Sequence, residues 1–218
     1  TAPPLPLIVY GASSSLGCFA IKLARTSNIH PIIAIAGSST DYLQTLLNPS
    51  KGDTVIDYRH GPQAMKAAVK EALGSLEAYH AFDAISANGT WVPLTQIVSP
   101  TKSQISVVSG ANAYNEAEIP EGVKIKYVYV GTAHYGAYLP TMPKQPADME
   151  AVESAKEFAY VFFRYISRML ARGEFEGHPY TVVPGGLGGV ERGLNMLKAG
   201  QAKGTKFIYR IAETESVK

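Results

Sequence analysis

The sequence has one cysteine, Cys18, among 218 residues. A single thiol excludes an internal disulfide and any multi-cysteine zinc cage, and it suits a reducing compartment. Lying just behind Gly17, it is expected to act as a small buried hydrophobe. Runs of like charge are also missing. The 20 Lys and Arg are interspersed with 18 Asp and Glu for a net charge of +2, so there is no basic stripe to neutralise a nucleic-acid backbone. No apolar stretch approaches the ~20 residues that a membrane-spanning helix needs, and the N-terminus carries neither the basic region nor the apolar run of a signal peptide. These absences point to a cytoplasmic protein without a membrane or nucleic-acid partner. The five histidines, His30, His60, His80, His134 and His178, form no close ligand pair such as HExxH, so no metal site is expected.

A hydrophobic content of 46% supports one sizeable core with a smaller appendage. Short apolar runs alternate with helical patterns: "LPLIVY" with "SLGCFAIKLARTS", "PIIAIAG" with "TDYLQTLLN", "DTVIDY" with "PQAMKAAVKEALGSL", and "AFDAISA" with "TWVPLTQIVS". "SQISVVSG" and "KIKYVYVG" follow as two further runs. Strands buried on both faces and joined by crossover helices predict a doubly wound α/β domain with a parallel sheet of about six strands. This domain is expected to occupy residues 1–174. Near its end, Val152, Ala155, Phe158, Phe162, Ile166 and Met169 or Leu170 recur at helical spacing, predicting one long helix closed by Gly173 with its aromatics in the core. Residues 175–218 read as a return segment: a strand, a glycine turn, a short helix and a last strand. The opening "TAPPLP" has the composition of an interdomain linker.

The stretch "LIVYGASSSLG" runs a strand into a small-residue turn and then a helix. The unpaired amides and positive dipole end of a helix N-terminus favour an anion, and small side chains let a pyrophosphate approach the backbone. Gly11, Ala12, Ser13, Ser14 and Ser15 are all small, and Gly17 allows the helix to pack close to its strand. The serine hydroxyls add hydrogen bonds to phosphate where other sites have glycine. At the end of the second strand an NAD site usually places an acidic residue against the ribose hydroxyls. This chain has Ala36, Gly37 and Ser38 there, which favours NADP(H), with Ser38 and Ser39 as donors to a 2′-phosphate. Asp41 opposes that preference unless it faces away. Tyr58, in "VIDYRH", offers one more hydroxyl.

With these motifs, and with "DTVIDYR", "FDAISANGT", "YVYVG" and the tail "GHPYTVVPGGLGGVERGLNMLKAGQAKGTKFIYRI", the chain resembles the medium-chain dehydrogenase/reductase superfamily. Within it, the zinc-independent quinone reductases and the fungal trans-acting enoyl reductases are most similar. The resemblance implies a Rossmann domain in which Ser13, Ser14, Ser15 and Leu16 hold the pyrophosphate. It implies that Ser38, Ser39, Thr40, Asp41 and Tyr58 surround the 2′-phosphate, while Asn88, Val130 and Gly131 lie toward the nicotinamide. It also implies hydride transfer to an activated C=C bond or quinone. The chain departs from the quinone reductases in carrying Asp41 near the place of their phosphate-pocket lysine. It departs from the superfamily in starting where the N-terminal catalytic domain would end, so it is expected to bind cofactor with little turnover alone.

The alternative is a stand-alone nucleotide-binding or regulatory module. A short-chain dehydrogenase is disfavoured because no tyrosine is followed four residues later by the lysine that tunes it, and a serine hydrolase because GxSxG is broken at Ser15. His134 and Tyr135 remain as candidates for substrate contact on the sheet edge, and "IKYVYVG" as an edge strand able to pair with a second copy.

Overall fold

The computed structural model describes residues 3–134 and 149–215. Six parallel strands form the main sheet: β1 (Leu7–Tyr10), β2 (Ile32–Ala36), β3 (Thr54–Asp57), β4 (His80–Asp83), β5 (Ser103–Val107) and β6 (Val123–Tyr127). Their order is β3-β2-β1-β4-β5-β6. Successive side chains along a strand point to opposite faces, so each run feeds two cores. Ile8, Ile33, Ile35, Ile105 and Val107 face one side, where helices α3 (Pro62–Leu73) and α4 (Trp91–Thr95) cover them with Met65, Val69 and Leu94. Val9, Ile32, Ala34 and Ala36 face the other, under helices α1 (Ser15–Thr26) and α2 (Asp41–Thr45), which contribute Cys18, Ile21 and Leu43. Burying each such aliphatic side chain contributes about 1.5–3 kcal/mol. Cys18 is buried, as its place behind Gly17 implied.

Because every strand is parallel, all carboxyl ends meet at one edge. Chain order reverses between β1 and β4, and a crevice opens outside their carboxyl ends at such a switch point. β6 lies at the margin of the sheet.

Helix α5 (Met149–Ala171) is long, as the spacing predicted, and Gly173 follows it with φ +69°. Its aromatics are not core. Phe158 is 64% exposed, Tyr160, Phe163, Tyr165 and Leu170 are also exposed, and among the described side chains of the helix only Ala159 and Met169 are buried. Phe162 is half-buried and stacks on Phe158 at 5.0 Å. The reason is placement: α5 packs on the 3-10 turn Val130–Ala133 beyond β6, so it buries a narrow stripe rather than a broad face. The side chain of Val152 lies outside the described residues.

The return segment forms the predicted strand, glycine turn, helix and strand: β7 (Tyr180–Val182), α6 (Val190–Lys198) and β8 (Lys206–Ile208), with β7 and β8 parallel in a separate two-stranded sheet. One buried lysine fastens it. Lys22, 8% exposed on α1, donates from Nζ to the carbonyl oxygens of Glu176 at 3.0 Å and Gly177 at 2.8 Å. Its ammonium also sits 5.3–5.9 Å from the ring centres of Phe19, Tyr42 and Phe175. Two carbonyl acceptors and three π faces offset the desolvation of the charge. Next to it, the His178 ring meets Tyr42 edge-on at 5.8 Å. Burial, then the charges of Lys206 and Lys22, hold its pKa below the ordinary imidazole value, while a hydrogen bond to the Gly204 backbone opposes the shift.

Lys22→Met retains the apolar stem but leaves two carbonyls without their donor, which is expected to cost about 1–3 kcal/mol in urea unfolding. Hydrogen exchange at amides 174–178 should quicken in the same variant. His178 resists protonation in the folded state but not in the unfolded one. Its contribution is therefore intact above about pH 6.5 and is lost as the pH falls from there toward the lowered folded-state value. His178→Gln should flatten the fall of Tm on acidification through that window; an unchanged slope contradicts the assignment.

Candidate functional site

The carboxyl edge begins at the turn between β1 and α1. Gly11 is buried with φ +69°, and a Cβ there would lie 2.5 Å from Cγ1 of Ile85 in the loop after β4. A Cβ on Gly17 would lie 2.4 Å from the Gly11 carbonyl oxygen and 2.7 Å from Cα of Ala12. Both neighbours of Gly17 are backbone, so glycine is what lets α1 start directly on the strand end. Ser14 caps the helix, its hydroxyl accepting from the Gly17 amide at 3.0 Å while its carbonyl accepts from Cys18 at 2.8 Å. That leaves the amides of Ser15 and Leu16 as the unfilled donors at a positive helix end. Ser13, Ser14 and Ser15 are half-buried around them, and Leu16 is 44% exposed.

The second part of the edge follows β2. A Cβ on Gly37 would meet the Tyr58 hydroxyl at 3.2 Å, so the tyrosine lies across the end of the strand. Its ring also packs on Tyr10 at 5.7 Å. Tyr10 has a raised pKa, through burial first and then through Tyr58 and Asp83. Ser38 is exposed, Ser39 and Thr40 are half-buried, and Asp41 is the exposed first residue of α2. Asp57, at the end of β3, is a second carboxylate on this side, which the sequence reading passed over. Arg59 engages it fully: Nε lies 3.0 Å from each carboxylate oxygen and Nη2 is 2.6 Å from Oδ2. These hydrogen bonds hold the Asp57 carboxyl down at about 2.

The third part is the loop after β4, and its organiser was not predicted. Asp83 is completely buried, and its carboxylate accepts from the amides of Ile85 at 3.0 Å and Ser86 at 2.8 Å and from the Thr90 hydroxyl at 2.6 Å. Ser86 in turn accepts from the Val108 amide at 2.9 Å, and its carbonyl accepts from the Asn112 side chain at 2.8 Å. The loop is thereby tied to the segment after β5. Asn88, exposed with φ +54°, is presented at its tip. An acidic residue inside the apolar run "AFDAISA" was the available signal for this anchor, because a carboxylate in a buried strand needs donors.

The predicted residues thus share one edge in two groups. Ser13 to Leu16, Ser38 to Asp41 and Tyr58 gather around the ends of β1, β2 and β3. Asn88 follows β4, whereas Val130, 70% exposed, and buried Gly131 follow β6, with β5 between them. His134 is exposed at the end of that last turn, and Tyr135 lies outside the described residues. Among the described residues no three His, Cys, Asp or Glu side chains cluster as a metal site, and no helix is long and apolar enough to cross a membrane.

No family model matches the chain. Among curated proteins it is 34% identical over 181 residues to the trans-enoyl reductase fsr4 of Gibberella fujikuroi, covering 83% of this chain and 48% of that protein. It is 25% identical over 209 residues to the trans-enoyl reductase FSL5 of Gibberella zeae, covering 96% and 55%. The chain spans about half the length of these relatives. Among solved structures it superposes on the CurF ER cyclopropanase of the curacin A biosynthetic pathway with a TM-score of 0.63, at 13% identity over 95% of this chain and 56% of that one. A putative NADPH:quinone reductase from Bacillus thuringiensis gives 0.63, at 17% identity over 91% and 54%. These structural likenesses carry the fold, a six-stranded parallel α/β sheet flanked by helices. The resemblance to the fungal trans-enoyl reductases that the motifs carry thus holds over about half the length of those proteins.

Proposed function

We propose that the carboxyl edge binds NADP(H) and that the chain is the cofactor domain of a zinc-independent reductase acting on an activated C=C bond, such as an enoyl thioester or enone, or on a quinone. The observation that carries this reading is the pairing of a close-packed glycine turn at Gly11 and Gly17 with a corner after β2 that has hydroxyls at Ser38, Ser39, Thr40 and Tyr58 and no carboxylate at positions 36–38. The residues fit the group: the turn sets small side chains beside the open Ser15 and Leu16 amides, and the corner has donors for an added phosphoryl group.

In this reading Ser13 to Leu16 hold the pyrophosphate, and Tyr58 covers the adenosine end together with Ser38 to Asp41. Asn88, Val130 and Gly131 flank the nicotinamide, with Asp83 fixing the loop that presents Asn88. When bound, the cofactor supplies the hydride; the protein supplies position and exclusion of water. The relatives are about twice as long as this chain. We assign the substrate contacts of the whole protein to that additional length.

Calorimetric titration of the chain should show saturable NADPH binding that is tighter than NADH binding, with little turnover of an enone or quinone. Absence of heat with NADPH, or tighter NADH binding, overturns the proposal. Gly17→Val is expected to lose NADPH binding and about 1–3 kcal/mol of stability, since its neighbours are backbone atoms that cannot give way.

A further inference from the structure

A 2′-phosphate is close to a dianion, and hydroxyls orient it without offsetting its charge. Among the described residues, Ser38 to Asp41 and Tyr58 bring no cation to the corner after β2. Asp41 adds a negative charge at the start of α2, and Arg59 is already committed to Asp57. The return segment approaches this corner from outside. Gly204, with φ +65°, lies beside it: a Cβ there would stand at ordinary van der Waals distance, 3.8 Å, from Cβ of Ser39. The positive φ favours glycine and allows the turn to seat on the serine. The Lys203 amide donates to the Gln201 carbonyl at 3.0 Å, which closes the turn, and the His178 ring of the same segment meets Tyr42 edge-on at 5.8 Å. Lys203 is therefore adjacent to the residue that touches Ser39. Its side chain is exposed and makes no ion pair among the described residues. Lys206, three residues on, acts on His178 instead.

We propose that Lys203, carried by the turn that Gly204 seats against Ser39, is the cation that selects NADP(H) over NAD(H) in this chain. The inference rests on the reading of the carboxyl edge as an NADP(H) site, and it adds the charge which that reading lacks. The ammonium comes to this corner from a segment more than 160 residues after Asp41. Asp41 is tolerated because an opposing charge stands across the corner.

The test is titration of the full chain with NADPH, NADH and 2′,5′-ADP. Lys203→Ala should weaken NADPH and 2′,5′-ADP about tenfold and leave NADH within twofold. Lys203→Arg should restore the lost affinity, and the salt dependence of NADPH binding should become shallower in Lys203→Ala. The exposed position predicts an unchanged Tm for both variants. Equal affinity of wild type and Lys203→Ala for NADPH overturns the inference, as does a parallel loss of NADPH and NADH. A wild-type chain that fails to prefer NADPH overturns the underlying reading, and this shows before any variant is made.

Discussion

The carboxyl edge depends on one contact between backbones. At the end of β1 the Gly11 carbonyl and the Ala12 Cα lie against Gly17 at a separation that leaves no space for even a methyl group. Without that approach α1 would start farther from the strand, its first amides would point elsewhere, and Cys18 and Ile21 would not reach the layer that covers Val9 and Ala34. The same contact sets the height of the turn against Ile85, which lies over Gly11 from the loop after β4. Packing, turn geometry and the anion-favouring helix end are therefore consequences of one steric condition.

Around that contact the edge is organised by buried or committed charge. Asp83 spends its carboxylate on a loop, Asp57 is held by Arg59, and Lys22 spends its ammonium on two carbonyls and three rings. Each charge is met by donors, acceptors or rings, and each fixes a segment that the hydrophobic layers alone would leave undirected. The cores stabilise the domain; these polar anchors decide where its loops stand.

Much of this was legible in the residues. The alternation of short apolar runs with helical patterns gives the six-stranded sheet because local periodicity and burial agree at every step. Gly11 and Gly17 mark the turn because only a side-chain-free residue fits there. What escaped the sequence depends on distant pairs. Lys22 and Gly177 are 155 residues apart, and nothing local in "AIKLAR" says that a lysine one turn from Cys18 turns inward. The exposed aromatics of α5 were misjudged for a related reason. Helical spacing reports which residues share a face, not whether a neighbour covers it, and α5 sits at the margin of the sheet.

Helix α1 touches both ends of the molecule's architecture. Its first turn frames the dinucleotide turn, and seven residues later Lys22 grips the return segment, a span of about 10 Å along a rigid rod. One helix consequently serves both regions. The β7–β8 appendage therefore meets the carboxyl edge by more than one route: along α1 through Lys22, and directly at Tyr42 and Ser39.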